Sequence, residues 1–152
     1  MPTVIRWPGH IAPGSDNDEL LTAMDLFPTF AKLAGAEIPT DRVIDGKDIW
    51  PVLTEGAASP HEVFFYYRQN GMQGVRSGKW KLQTGGPKQH GGGKALFDLE
   101  ADIGEKRNVL KQHPEVAERL RAYAAAFNQD LAQNSRPAGK ANNPKPLTKS
   151  AE

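Results

Sequence analysis

From Pro114 onward, Val116, Leu120, Tyr123, Phe127 and Leu131 recur at spacings of four, three, four and four. That rhythm marks one face of an α-helix running to about Asn134 and demands an apolar surface for it to lie on. Pro114 suits a first helical turn, His113 or Gln112 occupies the capping position, and Ala124 thins the apolar face as close packing on a sheet requires. The surface itself is written just upstream. Glu62–Tyr67, Gln73–Arg76, Lys79–Gln83 and Ala95–Leu99 are β-forming runs. Asn70-Gly71 and Ser77-Gly78 make tight turns between them, and a glycine-rich loop spans Gly85–Gly93. Consecutive runs with short connections predict a four-stranded antiparallel meander covered by the C-terminal helix.

Ahead of the meander the pattern is broken more often, as 15 Gly and 12 Pro in 152 residues dictate. Thr3–Trp7 is β-branched and aromatic and ends at Pro8-Gly9, which predicts a strand. Asp16 to Asp18 offer caps for a helix over Glu19–Met24, and Asp25 for a second helix with Pro28 in its first turn and Gly35 as its stop. A short helix is expected at Ile49–Leu53, closed by Gly56. The N-terminal strand has no sequence neighbour to pair with, and the two helices have no sheet of their own to cover. Such a set reads as a piece cut from a larger domain, the alternative being that the helices pack on the meander. From Ser135 to the end, residues 135–152 are expected to form a disordered polar tail.

Charge and composition exclude several functions. Nineteen Lys+Arg against eighteen Asp+Glu leave a net charge of +1 with both signs interspersed, unlike the basic stripe of a nucleic-acid binder. No stretch approaches the ~20 apolar residues of a membrane span, and Met1–Arg6 lacks the ~7–15-residue apolar run of a signal peptide. With no cysteine there is no disulfide, thiolate zinc site or Cys nucleophile.

Candidate chemistry is sparse. His10, His61, His90 and His113 are far apart in sequence, none has a second ligand at helical spacing, and surface or capping roles are expected for each. Gly93-Lys94 fails the phosphate-loop pattern, because Lys88 stands where glycine is needed and Ala95 where the hydroxyl would bind Mg²⁺. Asp98, Glu100, Asp102 and Glu105 do not fit a calcium loop around Gly104, and Asp98 and Asp102 are expected to bind local backbone N–H groups instead. The aromatics Phe64–Tyr67 and Trp80 read as sheet core and cross-strand pairs. Tyr67, Arg68 and His90 sit at strand ends or in the glycine-rich loop, where a side chain either reaches a ligand or, as is usual for polar residues at such positions, faces solvent.

Taken in order, five stretches resemble one family. They are Pro2–Gly14 (PTVIRWPGHIAPG), Met24–Thr29 with Leu33-Ala34-Gly35, Asp45–Leu53 (DGKDIWPVL), Val75–Leu82 (VRSGKWKL), and Leu96–Asp102 (LFDLEAD) followed by Glu105 and Asn108. Together they resemble the C-terminal part of the arylsulfatase-type sulfatases over roughly residues 2–130. The resemblance implies an α/β (alkaline-phosphatase-like) fold, with 1–55 as the end of a large catalytic domain and 56–134 as a smaller subdomain of four antiparallel strands on a long helix. It also implies sulfate-ester hydrolysis by a formylglycine, formed within a Cys/Ser-x-Pro/Ala-x-Arg motif, beside a divalent ion, usually calcium. No such motif occurs here, so no catalytic or metal-binding residue is carried over. The expectation is a C-terminal sulfatase portion, inactive alone, whose partner is the missing N-terminal domain and whose sulfate-ester substrate binds only the full-length enzyme. Tyr67, Arg68 and His90 would line the rim of that enzyme's pocket. The alternative is a stand-alone interaction module that pairs with a separate polypeptide, for instance by adding the 3–7 strand to a partner's sheet edge. Such sulfatases are often periplasmic, secreted or lysosomal, and no targeting segment is expected in this chain.

Overall fold

The computed structural model describes residues 3–69, 71–85 and 94–135. Helix α1 (Leu26–Leu33) follows a 3₁₀ turn at Ala23–Asp25, and helix α2 (Trp50–Glu55) follows a long connection. Strands β1 (Phe64–Arg68), β2 (Gly71–Ser77), β3 (Trp80–Gln83) and β4 (Ala95–Asp98) come next, and helix α3 (Pro114–Asn134) closes the series.

The four strands form one antiparallel sheet in the order β1-β2-β3-β4, the meander expected from the tight turns. Phe65 pairs with Val75, Val75 with Leu82 and Leu82 with Leu96, so these residues stack across one face. Their neighbours Phe64, Arg76, Lys81 and Phe97 fall on the other face, because strand side chains alternate. Gly78, at φ 53°, makes the β2–β3 turn in a backbone region open to glycine at little cost. A bulge between Tyr66 and Tyr67 re-aims the end of β1.

Helix α3 lies across β2 and β3. Val75, Leu82, Leu96, Val109, Ala117, Leu120 and Ala124 form the main core, flanked by Val63, Phe65, Met72, Trp80, Val116 and Tyr123. Ala117 and Ala124 carry almost no side chain, which lets the helix axis approach the sheet while Leu120 fills the space between strands. Phe127 stacks on Phe65 with ring centroids 4.0 Å apart and planes 15° from parallel. The segment between β4 and α3 continues the edge of the sheet: Val109 N–H donates to Leu96 C=O, and Asn108 Oδ1 accepts from Leu96 and Leu110 N–H.

Several expectations are corrected. Residues 3–7 form no strand, because a strand is a pairing and none of the described residues hydrogen-bonds alongside them; Val4 is 95% exposed, and only Trp7 packs inward, against Trp50. The helix expected over 19–24 shrinks to the 3₁₀ turn at Ala23–Asp25. A six-residue segment nucleates poorly, and tertiary contacts take its polar groups. Leu20 C=O accepts the Ser59 hydroxyl, Glu19 carboxylate accepts Ser59 N–H, and Glu19 N–H is held by Asn17 Oδ1. β2 begins two residues before Gln73, since Gly71 pairs with Arg68. His113 does occupy the N-cap position of α3, but its side chain makes no capping bond and its ring packs 4.8 Å from Trp80. The glycine-rich loop from 86 to 93 and the tail from 136 lie outside the described residues.

Candidate functional site

Asp25 is the deepest charged group of the described chain, with no exposed surface. Its position follows from the 3₁₀ turn, which bends the chain so that the carboxylate points back: Oδ2 accepts Thr22 N–H at 2.7 Å. Oδ1 accepts Lys47 N–H at 2.8 Å and lies 2.7 Å from His61 Nε2. Thr29, one turn into α1, donates its hydroxyl to Asp25 C=O and accepts Ile49 N–H. One buried carboxylate thereby joins the 3₁₀ turn, the connection before α2 and the segment entering β1. Burial opposes its ionisation most strongly, yet the N–H groups of Lys47 and Thr22 and the His61 ring outweigh it, and the carboxyl sits below its usual range.

Gly46 makes this junction possible. A Cβ built there would stand 2.0 Å from Met24 O, so only a residue without a side chain lets Lys47 N–H reach Asp25. His61, expected on the surface, is instead buried with 8% of its side chain exposed. Sequence inspection misses the pair because its members are far apart along the chain. The signal that exists is Asp45-Gly46-Lys47 itself, a glycine where close backbone approach is needed.

A second polar region lies at the β4 exit. Asp98 Oδ1 accepts Glu100 and Ala101 N–H, and its Oδ2 lies 2.8 Å from Lys79 Nζ. That ammonium's hydrogen bond holds the Asp98 carboxyl below the usual range. Asp102 Oδ2 accepts Lys106 and Arg107 N–H, and Glu105 pairs with Lys81. These are turn-stabilising bonds, as the spacing predicts for Asp98 and Asp102.

Of the three predicted ligand-reaching residues, Tyr67 and Arg68 sit exposed at the end of β1. The Tyr67 hydroxyl donates to Asn128 Oδ1 at 2.9 Å, which ties its ring against α3. His90 lies outside the described residues. The β1–β2 turn and the start of the β3–β4 connection do occupy the same end of the sheet, since Thr84 and Gly85 N–H both donate to Gln73 C=O.

The residues present do not fit calcium or formylglycine. Among the described residues no three His, Asp or Glu side chains converge on a metal-sized site. The best carboxylates already accept N–H donors, and the sequence holds no cysteine. Nor is any described helix long and apolar enough to cross a membrane.

What the geometry defines is a scaffold: a meander on a long helix, with a polar junction tying a preceding segment to it. The family model described as N-sulphoglucosamine sulphohydrolase, C-terminal, matches residues 1–130. The arylsulfatase of Hemicentrotus pulcherrimus is 51% identical over 81 residues, covering 53% of this chain and 14% of that protein. The steryl-sulfatase of Mus musculus is 35% identical over 163 residues, covering 86% of this chain and 26% of that protein. The solved structure of Ps i-CgsB superposes with a TM-score of 0.69 at 28% identity, covering 87% of this chain and 29% of that one. The chain belongs to the sulfatase family and corresponds to its C-terminal part. It spans only 14% and 26% of the two curated relatives above.

Proposed function

We propose that this chain serves as the scaffold and pocket rim of an arylsulfatase-type sulfate-ester hydrolase, whose nucleophile and divalent ion lie on the remaining, N-terminal part of the enzyme. The observation that carries the reading is the family match across residues 1–130. Charge developing on a sulfuryl group needs preorganised cations or a metal. Here Lys79 and Lys81 are instead paired with Asp98 and Glu105 on the sheet, which supports placing the chemistry elsewhere. The rim is assigned to Tyr67, Arg68 and His90. Arg68 is supported by its place at the exposed end of β1, the end of the sheet where Thr84 and Gly85 N–H donate to Gln73 C=O. Tyr67, anchored to Asn128, presents its ring rather than its hydroxyl.

The test grafts this chain in place of the matching segment of the Hemicentrotus pulcherrimus arylsulfatase and assays an aryl sulfate with calcium. The chain alone is expected to give no saturable turnover, and the graft is expected to turn over. Arg68→Ala and His90→Ala in the graft should each lower kcat/KM by about tenfold, the scale of one charge-assisted contact. Saturable turnover by the isolated chain overturns the division of labour, and unchanged kcat/KM in both variants overturns the rim.

A further inference from the structure

The sheet treats its two edges differently. Along β4 the outer edge is covered by the segment that follows it: Val109 N–H donates to Leu96 C=O, Asn108 Oδ1 accepts Leu96 N–H, and Asn108 Nδ2 donates to Lys94 C=O. β1 is the other edge, and among the described residues nothing hydrogen-bonds to the outer side of its backbone. The strand is also regular. The bulge opposite Tyr66 and Tyr67 places its extra residue, Gln73, on β2, so Phe64–Arg68 run without interruption. A straight, uncovered edge is a template for another strand.

The order of residues on this edge selects the strand that fits. Glu62-Val63-Phe64-Phe65-Tyr66-Tyr67-Arg68 carries an acid three places before Phe65 and a base three places after it. A second copy, turned end for end and paired about Phe65, sets its Arg68 opposite Glu62 and its Glu62 opposite Arg68. Phe64 then faces Tyr66 of the partner subunit, an aromatic cross-strand pair on each side of the centre. The two members of every such pair lie an even number of places apart in the strand, so outward-pointing N–H and C=O groups meet outward-pointing ones. Both charges are exposed. Arg68 has no ion-pair partner among the described residues, and Glu62 accepts only the Tyr123 hydroxyl, on Oε1.

We propose that the outer edge of β1 is a homodimer interface: two copies of this chain join β1 to β1 antiparallel about Phe65, with the Glu62–Arg68 contact made twice. The product is one continuous eight-stranded sheet, four strands from each copy. The pairing uses both bare edges and leaves only the covered β4 edges, so it closes at two copies. The charge order, complementary to its own reverse, favours a second copy over an unrelated extended peptide. The inference goes beyond the functional reading and does not depend on it, because the pairing belongs to the sheet. Arg68, assigned to the rim above, stands at the seam between the copies.

A strand-to-strand contact buries less than the ~1,600 Å² of a standard interface, so a weak dimer is expected, with a dissociation constant of about 10–100 μM. Sedimentation velocity of the 152-residue chain, from about 1 μM to about 1 mM, should show monomer passing to dimer and nothing larger. Hydrogen exchange over the same range should slow alternate amides within 64–68, while those of 26–33 on the exposed apolar side of α1 stay unchanged. Arg68→Glu alone and Glu62→Arg alone should each weaken the dimer about tenfold or more, and the double variant should return it to within about threefold of the parent. Within one copy the two residues stand roughly 20 Å apart along the strand, so only contact between copies gives that restoration. Glu62→Arg also gives up the Tyr123 hydroxyl, so circular dichroism checks its fold, and Arg68→Glu with the exchange pattern carries the test if it misfolds. A chain that stays monomeric at about 1 mM overturns the interface, as do assemblies larger than two, a dimer whose slowed amides are those of 26–33, or a folded double variant no tighter than the single ones.

Discussion

His61 Nε2 lies 2.7 Å from Asp25 Oδ1 across 36 residues of chain, both side chains almost wholly buried. The contact joins the 3₁₀ turn before α1 to the segment entering β1. Removing one partner of a buried hydrogen-bonded pair leaves the other unsatisfied, whereas two backbone N–H groups from Thr22 and Lys47 remain to hold Asp25 if only His61 is lost. His61→Ala should therefore cost about 1–3 kcal/mol, the scale of an unsatisfied buried group. Asp25→Ala, which strands three donors at once, should cost about 3–5 kcal/mol. Urea unfolding of the two variants checks the order, and a smaller loss for Asp25→Ala would refute the junction as described.

The same carboxylate sets an acid limit. Its folded pKa is depressed, despite burial, by the N–H groups of Lys47 and Thr22 and by His61. A depressed carboxyl contributes stability that is fully present above the unfolded value, ~4, and is lost as pH falls through the folded value. Urea midpoints should be level as pH drops from 6 to 5 on this group's account and decline below about pH 4. Asp25→Asn should flatten the decline; an equal slope in variant and parent would show that other carboxylates set it.

Gly46 tests the junction from the backbone side. Its missing Cβ is what leaves room for Met24 C=O, with a hypothetical contact of 2.0 Å. Neither partner at that contact is a flexible side chain, so Gly46→Ala must shift the chain and pull Lys47 N–H away from Asp25. A loss of about 1–3 kcal/mol is expected, in the range of overpacking strain. Gly46→Ala within 0.5 kcal/mol of the parent in thermal unfolding would mean that the 45–47 segment is freer than the hydrogen bonds imply.

Along α3 the apolar rhythm and the actual burial separate. Leu120 is fully buried against the sheet, whereas Leu131, on the same periodic series, is 45% exposed beyond the sheet's reach. Leu120→Ala should cost about 2–5 kcal/mol and Leu131→Ala less than about 0.5 kcal/mol. Equal losses, measured by calorimetry, would place the helix in a different register from the one described.

That separation shows what local pattern carries. The meander and α3 were legible because their periods, two and 3.6, and their glycine turns act between near neighbours in sequence. Burial depth along α3 was not, since it depends on where the sheet ends. The strand expected at Thr3–Trp7 illustrates the converse: β-propensity records fitness for a pleated surface, and pairing needs a neighbour that propensity cannot supply. The burial of His61 is illegible for the same reason, as its partner Asp25 lies 36 residues away. The turn bonds of Asp98 and Asp102, whose backbone N–H partners are within five residues, are readable.

The uneven distribution of core predicts uneven resistance to proteolysis. Every buried member of the main core lies between Val75 and Ala124, on the sheet, on α3 or, for Val109, in the connection between them. The preceding half rests on the Asp25 junction and a few buried side chains such as Ile49 and Val52, while α1 turns its apolar ridge to solvent. Local opening is cheapest where few apolar contacts must break. Limited digestion of the free chain with chymotrypsin should therefore cut first after Phe30, since Pro28 blocks the bond after Phe27, and leave a resistant product containing residues 62–134. If cleavage within the sheet keeps pace with cleavage at α1, the two halves open together, and the Asp25–His61 contact binds them into a single cooperative unit rather than hinging one upon the other.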